Sequence, residues 1–347
     1  LPPFETQKCL KYLPLCYGAD GAIDYRAVSY FAEPTAIDPN PRHQYCSIMK
    51  SQGSLIYDSN FTRDAVTQAN AKISVLGPLI KNSLKWKDAG RLNVGSEPSN
   101  MAVGTDAIVI SAWGLSSLQV VPDMTDVPYQ GYIQCGFYED KADSDMHDFM
   151  LVNRRTNYSG NDLYVNDTPP SAYDTFYISA GPQSARFVIN NVAHNRFGTC
   201  IALHDRYNDD LFRAEEDTIR VVIDAGECRL VEMVGTLPSA VSSDSSLSTK
   251  VILSGNITIG TGSAVSITAG TETTIKPGTN IIVEDGASFT LRGIVDIEDG
   301  VSIITAPNGT LNFDNATCTW GQGSKIEVTG GTLSINGGSM NASSPSR

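Results

Sequence analysis

The sequence predicts a mainly β protein: a partial β/α segment, then an antiparallel β-sandwich, then a parallel β-helix-like solenoid. Three patterns predict it. Residues 1–90 place two amphipathic helical stretches beside short apolar runs. Residues 91–237 hold short strand-like runs separated by polar turns. From residue 251 to 347, apolar-polar-apolar triplets recur with Gly, Asn, Asp or Pro between them. A chain of 347 residues, 41% hydrophobic, has room for two or three domains and a sizeable core.

In the first segment, Glu5 to Tyr17 has a helical apolar rhythm (Cys9, Leu10, Leu13, Cys16, Tyr17) that ends at Gly18, a suitable C-cap. Pro14 inside it predicts a kink. A short buried strand is expected at Gly21–Tyr25, a loop at Glu33–Gln44 and another strand at Ser54–Asp58. A second helix, about Thr62 to Leu76, presents Val66, Ala69, Ile73 and Leu76 on one face and is expected to stop at Gly77-Pro78. In the second segment the expected strands are Ala107–Ala112, Tyr132–Tyr138, Phe149–Asn153, Thr175–Ser179, Ala185–Asn190, Thr218–Ile223 and Arg229–Val234. Residues 238–250 are so rich in Ser that they read as a flexible linker. The triplets that follow, such as Ile257-Thr258-Ile259, Val265-Ser266-Ile267, Phe289-Thr290-Leu291 and Leu333-Ser334-Ile335, suit short strands that each turn one apolar face inward, with glycines at the corners.

Charge and motifs exclude several functions. The net charge of −13 argues against a nucleic-acid partner, because its field repels phosphate. No apolar run reaches eighteen residues, so membrane insertion by a helix is not expected. The seven cysteines show no CxxC spacing; disulfides and buried free thiols both fit them. The four histidines form no HExxH. Gly321–Lys325 lacks phosphate-loop spacing, and no Gly-x-Ser-x-Gly elbow is present.

Three stretches carry a resemblance. Lys11–Tyr25 (KYLPLCYGADGAIDY) resembles the last helix-to-strand step of a (β/α)8-barrel glycosidase, and Val66–Pro78 (VTQANAKISVLGP) resembles the closing barrel helix. Asp148–Arg155 (DFMLVNRR), with the Thr218–Ile223 and Arg229–Met233 hairpin, is similar to the sandwich that follows such barrels. With the solenoid behind it, the whole resembles the C-terminal portion of a large secreted Bacteroidetes or Chlorobi-type protein. The resemblance implies an extracellular or cell-surface location and a glycoside hydrolase-like parent. The barrel strands that carry the two catalytic carboxyl groups of a retaining enzyme have no counterpart in this chain, so no catalytic residue is expected in it.

Candidate sites follow from position. Asp24, Tyr25, Arg26 and Tyr30 would lie at the rim of the last barrel strand, where barrel enzymes bind substrate; turn capping and packing are the favoured reading. Trp320, outside the triplets, is a candidate for stacking on sugar rings, whereas Trp86 and Trp113 read as packing residues. Asp143, Asp145 and Asp148 offer hard oxygen ligands for a structural calcium, but without EF-hand spacing an acidic hairpin loop is favoured. His204-Asp205 beside Asp209-Asp210 reads as a solvated turn. No other cofactor is expected. The expected partner is a polysaccharide or cell-surface glycan. The alternative is a filament, sheath or adhesin subunit that self-assembles through its β-rich domains or joins an N-terminal part of the same protein.

Overall fold

The computed structural model describes residues 4–19, 59–92, 110–121, 133–155, 182–268 and 270–342. The expected strands at 21–25, 54–58 and 175–179, and the 33–44 loop, lie outside these residues. Within them the chain is mainly β, with three helices and a β-solenoid of about 5 turns.

Helix α1 (Phe4–Cys16) buries Cys9, Tyr12, Leu15 and Cys16 and keeps Pro14 in its last turn. It ends at Gly18, whose φ of 84° only glycine adopts without strain. Helix α2 (Ser59–Ser83) does not stop at Gly77-Pro78. Pro78 forfeits one backbone bond at a cost of about 3 kcal/mol. The buried stripe nevertheless continues across it, from Ala65, Ala69 and Leu76 to Ile80. Leu76 and Ile80 each contribute about 1.5–3 kcal/mol on burial, so packing outweighs the breaker.

Strand β1 (Leu84–Arg91) follows α2 directly. After it come β2 (Leu115–Val120), β3 (Ile133–Asp140), β4 (His147–Asn153) and β5 (Gln183–Ile189). Helix α3 (Asn191–Phe197) precedes β6 (Ile201–Asp205), β7 (Leu211–Arg213), β8 (Thr218–Ile223) and β9 (Cys228–Gly235). Five of these coincide with expected strands. The Ala107–Ala112 expectation does not hold where it can be seen: residues 110–114 form a turn closed by Leu115 N–H donating to the Ile110 carbonyl at 3.1 Å, and the strand starts at Leu115.

The strands form two antiparallel sheets. One runs β1-β3-β4-β9-β6-β7, the other β2-β5-β8. Trp113, Phe137, Phe149, Phe187, Val221 and Met233 fill the space between them, with Phe149 edge-on to Phe187 at 5.2 Å. The opposite face of the larger sheet is not open to solvent. There Tyr138, Met150, Val152, Cys228 and Leu230 meet Tyr12 and Leu15 of α1 and Leu76 and Ile80 of α2. Because β1 belongs to the same sheet, α1 and α2 share a core with the strands that follow.

The solenoid strands are short. They are β10 (Ala240–Val241), β11 (Ser245–Leu247), β12 (Lys250–Leu253), β13 (Asn256–Ile259), β14 (Ala264–Ile267) and β15 (Glu272–Ile275). Then follow β16 (Asn280–Val283), β17 (Ser288–Ile297), β18 (Ser302–Thr305), β19 (Thr310–Trp320), β20 (Lys325–Val328), β21 (Thr332–Asn336) and β22 (Ser339–Ala342). They stack in parallel on three faces. The first face is β10-β13-β16-β18-β20. The second is β11, β14, the first halves of β17 and β19, and β21. The third is β12, β15, the second halves of β17 and β19, and β22. Inward residues align coil over coil, Ile257 on Ile281 on Ile303 and Val265 on Phe289 on Leu311. This is how apolar triplets separated by turns bury one continuous core.

The 238–250 stretch is not a tether. Val241 and Leu247 are buried, and β10, β11 and β12 form the first coil, paired with β13, β14 and β15. Serine-rich composition predicted flexibility, but the spacing of Val241, Leu247 and Val251 supplies the three inward anchors that a coil needs. The larger sheet runs into the solenoid, because Gly235 of β9 pairs in parallel with Val251 of β12.

The contact of α1 with the sheet depends on Gly136, where a Cβ would collide with the Cys16 backbone. Gly136→Ala is expected to lower the unfolding free energy by about 3 kcal/mol. Gly262→Ala, at a corner with φ 73° and open space around it, should lose only about 1–2 kcal/mol to backbone strain. Urea denaturation of both variants measures this, and the reverse order would contradict the packing.

Candidate functional site

Two polar constellations lie on the outer face of the larger sheet. The first is an ionic knot between the sheet and the solenoid. Alternation places Asp148 of β4, His204 of β6 and Glu232 of β9 on this face, just past the apolar residues under the helices. Glu232, 1% exposed, meets His204 Nδ1 at 2.9 Å, Arg206 Nη2 at 2.7 Å and Lys250 Nζ of β12 at 2.9 Å. Asp148, fully buried, receives Arg206 Nε at 2.9 Å and Nη2 at 3.2 Å. His204 Nε2 lies 2.6 Å from Asp209, whose carboxylate also pairs with Lys276 at 2.7 Å. Lys276 reaches on to Glu298 at 3.4 Å, deeper in the solenoid.

Burial pushes the Glu232 carboxyl up, but the His204 hydrogen bond and the Arg206 and Lys250 charges outweigh it and hold it at about 2. For Asp148, burial is the largest influence; Arg206 pulls back, the Glu232 charge adds to the rise, and the group sits at about 6. Both carboxyl groups are closed to solvent, so they hold elements together and cannot meet a substrate.

The second constellation is a cleft of about 350 Å³ beside the knot. It is lined by Tyr12, Gln68 and Lys72 of the helices, by Tyr207 and Asn208 of the β6–β7 loop, and by Asp224, Glu227 and Arg229 of the β8–β9 hairpin. Buried Asp205 shapes its loop, accepting the backbone N–H groups of Tyr207 at 2.9 Å and Asn208 at 3.2 Å and the Asn208 amide at 3.0 Å. Arg229 secures Asp205 at 2.5 Å and Asp210 at 2.9 Å. Lys72 donates to the Cys228 carbonyl at 2.8 Å and to Glu227 at 3.2 Å, and stands 5.6 Å and 5.0 Å from the ring centres of Tyr12 and Tyr207. Lys8 also pairs with Glu227. Of the two cations that line the cleft, Lys72 is met by Glu227, also a lining residue, and Arg229 by Asp205 and Asp210 outside the lining. Burial pushes the Tyr12 hydroxyl far up, which keeps it protonated. Tyr207 is 37% exposed and offers an aromatic surface to solvent.

The sequence-derived candidates fall elsewhere. Asp24, Tyr25, Arg26 and Tyr30 lie outside the described residues. Trp320, expected outside the strands, closes β19 and is half-buried, 6.2 Å from Phe313 and packed against the solenoid core. Asp143 and Asp145 sit on the β3–β4 hairpin and pair with Arg196 at 3.1 Å and 3.5 Å, whereas Asp148 is committed to Arg206. Among the described residues no group of three His, Cys, Asp or Glu side chains is arranged to hold a metal ion. Trp113 is buried, as expected of a packing residue; Trp86 is 41% exposed and donates to the Cys16 carbonyl at 2.9 Å. His204 and Asp205 are not in a solvated turn: each is drawn inside by a partner more than twenty residues away.

Among the described residues six cysteines are free thiols: Cys9, Cys16, Cys135, Cys200, Cys228 and Cys318. Burial pushes Cys9 up to about 11 and Cys228 to about 12, and raises Cys16 and Cys135 strongly. Thiolate nucleophiles are therefore not formed at these four positions near neutral pH.

Glu232 makes the fold acid-sensitive. Its carboxyl is depressed when folded, so its stabilisation is complete above the ordinary 4.5 and is lost as pH falls toward 2. Asp148 is raised, so its contribution runs the other way and is lost as pH rises from 3.8 to about 6. Urea unfolding across pH 2–7 should show the low-pH loss in the native chain and a smaller one in Glu232→Gln, where Asp209, also held down by Lys276 and His204, still contributes. That variant should also be less stable at neutral pH by about 3–5 kcal/mol, having left Lys250 and Arg206 without their shared carboxylate.

No protein-family model matches the chain, and no match was found among curated proteins or solved structures.

Proposed function

We propose that the chain is a non-catalytic carbohydrate-binding or surface-attaching region of an extracellular, glycoside hydrolase-like protein. In this reading α1 and α2 are the end of a barrel-like unit and the two antiparallel sheets are the β-sandwich that follows it. The observation that carries the reading is the composition of the cleft. Its Lys72 is paired with Glu227, and its Arg229 with Asp205 and Asp210 outside the lining, so neither cation is free to draw a charged ligand. What remains is an exposed tyrosine beside the amides of Asn208 and Gln68 and the carboxylate of Asp224. Such a set suits an uncharged ligand dense in hydroxyls, each able to donate and accept, with one apolar ring face to lie on tyrosine. A volume of about 350 Å³ suits one or two sugar rings of a longer glycan.

A second reading, assembly of a structural surface protein, is favoured by one observation: the solenoid stacks its strands into continuous parallel sheets, whose flat outer faces suit lateral packing.

Binding to an array of neutral glycans, followed by calorimetry on the best ligand, tests the first reading. Tyr207→Ala is expected to weaken binding about tenfold, as loss of one aromatic contact would, and Asn208→Ala by a similar factor. Failure to bind any glycan, or binding indifferent to both substitutions, would remove the cleft as a sugar site.

A further inference from the structure

The loop that carries Tyr207 and Asn208 into the cleft is anchored at two points. Its stem is Asp205, fully buried, which accepts the Tyr207 and Asn208 backbone N–H groups and is held in turn by Arg229. This first anchor lies wholly within the antiparallel sheet and its turns. The second does not. Asp209, the residue after Asn208, closes the turn by donating its backbone N–H to the Asp205 carbonyl at 2.9 Å, and it does so with a φ of 63°. Left-handed backbone is disfavoured for any side chain, and an aspartate keeps it where its surroundings hold it there. The holding groups are His204 Nε2 at 2.6 Å and Lys276 Nζ at 2.7 Å, both on Oδ1. Burial pushes the Asp209 carboxyl up, but the hydrogen bonds from Lys276 and His204 outweigh it and hold the group below its ordinary range.

Lys276 belongs to the solenoid. It follows β15 in the second coil, its backbone N–H donates to the Leu253 carbonyl of the first coil at 2.8 Å, and its ammonium also meets Glu298 of the third coil at 3.4 Å. Three coils therefore fix the lysine, and the stack decides where it stands. Among the described residues, its bond to Asp209 is the one ion pair or hydrogen bond between the cleft loop and the solenoid. A loop tied only at its stem pivots about that stem. A second tie at the far shoulder removes the pivot, and the residues thereby steadied are Tyr207 and Asn208, which face the ligand. A contact surface ordered in advance binds more tightly, because the ligand need not order it.

We propose that Lys276 is a positioning residue for the cleft: through Asp209 it holds the Tyr207–Asn208 loop ready for a ligand, so the solenoid sets the affinity of a site that it does not line. The proposal rests on the sugar reading of the cleft for its ligand, but the order of the loop is measured with no ligand present. Hydrogen–deuterium exchange of the full chain carrying Lys276→Met tests that order. The backbone N–H groups of Tyr207, Asn208 and Asp209 are expected to exchange about fivefold faster than in the native chain, the effect of losing one partly exposed ion pair. Lys276→Arg, which keeps the charge, should restore native exchange. Residues 224–228 on the opposite wall and the coils around Ile281 and Ile303 should be unchanged in both variants, which a general loss of stability would not allow. In calorimetry with the neutral glycan that the native chain binds best, Lys276→Met should weaken binding about fivefold and Lys276→Arg should leave it unaltered. The effects of Lys276→Met and Asp209→Asn on binding should not add, because both break the same tie. Native exchange at 207–209 in Lys276→Met, or native affinity despite faster exchange, overturns the proposal and leaves the cleft reading in place. A native chain that binds no neutral glycan overturns the cleft reading and the affinity claim with it, whereas faster exchange confined to 207–209 still upholds the clamp on the loop.

Discussion

The described structure turns on a single buried carboxylate. Glu232 sits in the middle of the larger sheet and is neutralised by groups from three places: His204 on β6, Arg206 just after it, and Lys250 on the first coil of the solenoid. A carboxylate this deep is tolerated only when paired, and each partner must be held where it is for the charge to remain buried. The sheet, the loop that follows β6 and the start of the solenoid are consequently fixed together. The backbone makes the same connection through Gly235 and Val251, and Thr236 adds a hydroxyl bond to the Ile252 carbonyl at 2.8 Å. An apolar patch of Ala202, Val234 and Ile252 seals the seam.

This arrangement divides the outer face of one sheet into three consecutive zones. Under α1 and α2 it is apolar, beside them it is ionic, and toward the solenoid it is apolar again. The cleft opens at the boundary between the first two zones. Its loop is held by Asp205 and Arg229, neighbours of the same ionic region. The rigidity that Glu232 imposes on the junction is thus shared by the residues that line the candidate sugar site, although Glu232 itself touches no ligand.

Much of the solenoid was legible because its code is local. Val265-Ser266-Ile267 and Phe289-Thr290-Leu291 each state their inward and outward faces within three residues. The ends of α1, and strands β8 and β9, were visible for the same reason. Strand β1 was not: Leu84 and Trp86 alternate with lysines, but a bulge between Trp86 and Asp88 breaks the period of two before the rest of the strand. The passage of α2 through Gly77-Pro78 depends on the burial of Ile80 against distant strands, which no local breaker rule contains. The ionic knot was hidden most completely. His204-Asp205 looks like surface sequence until Glu232 and Arg229, far along the chain, are brought beside it. Composition misled in the same way at 238–250, where serines on the outward side of a coil imitate a linker.

The antiparallel sheet and the solenoid form one continuous body joined at Glu232. Hydrogen–deuterium exchange across residues 228–253 measures this directly. Slow exchange there, as slow as in the inner coils around Ile281 and Ile303, is the predicted result. Rapid exchange through 238–250, with protection resuming only beyond it, would contradict the account and return that stretch to the role of a tether.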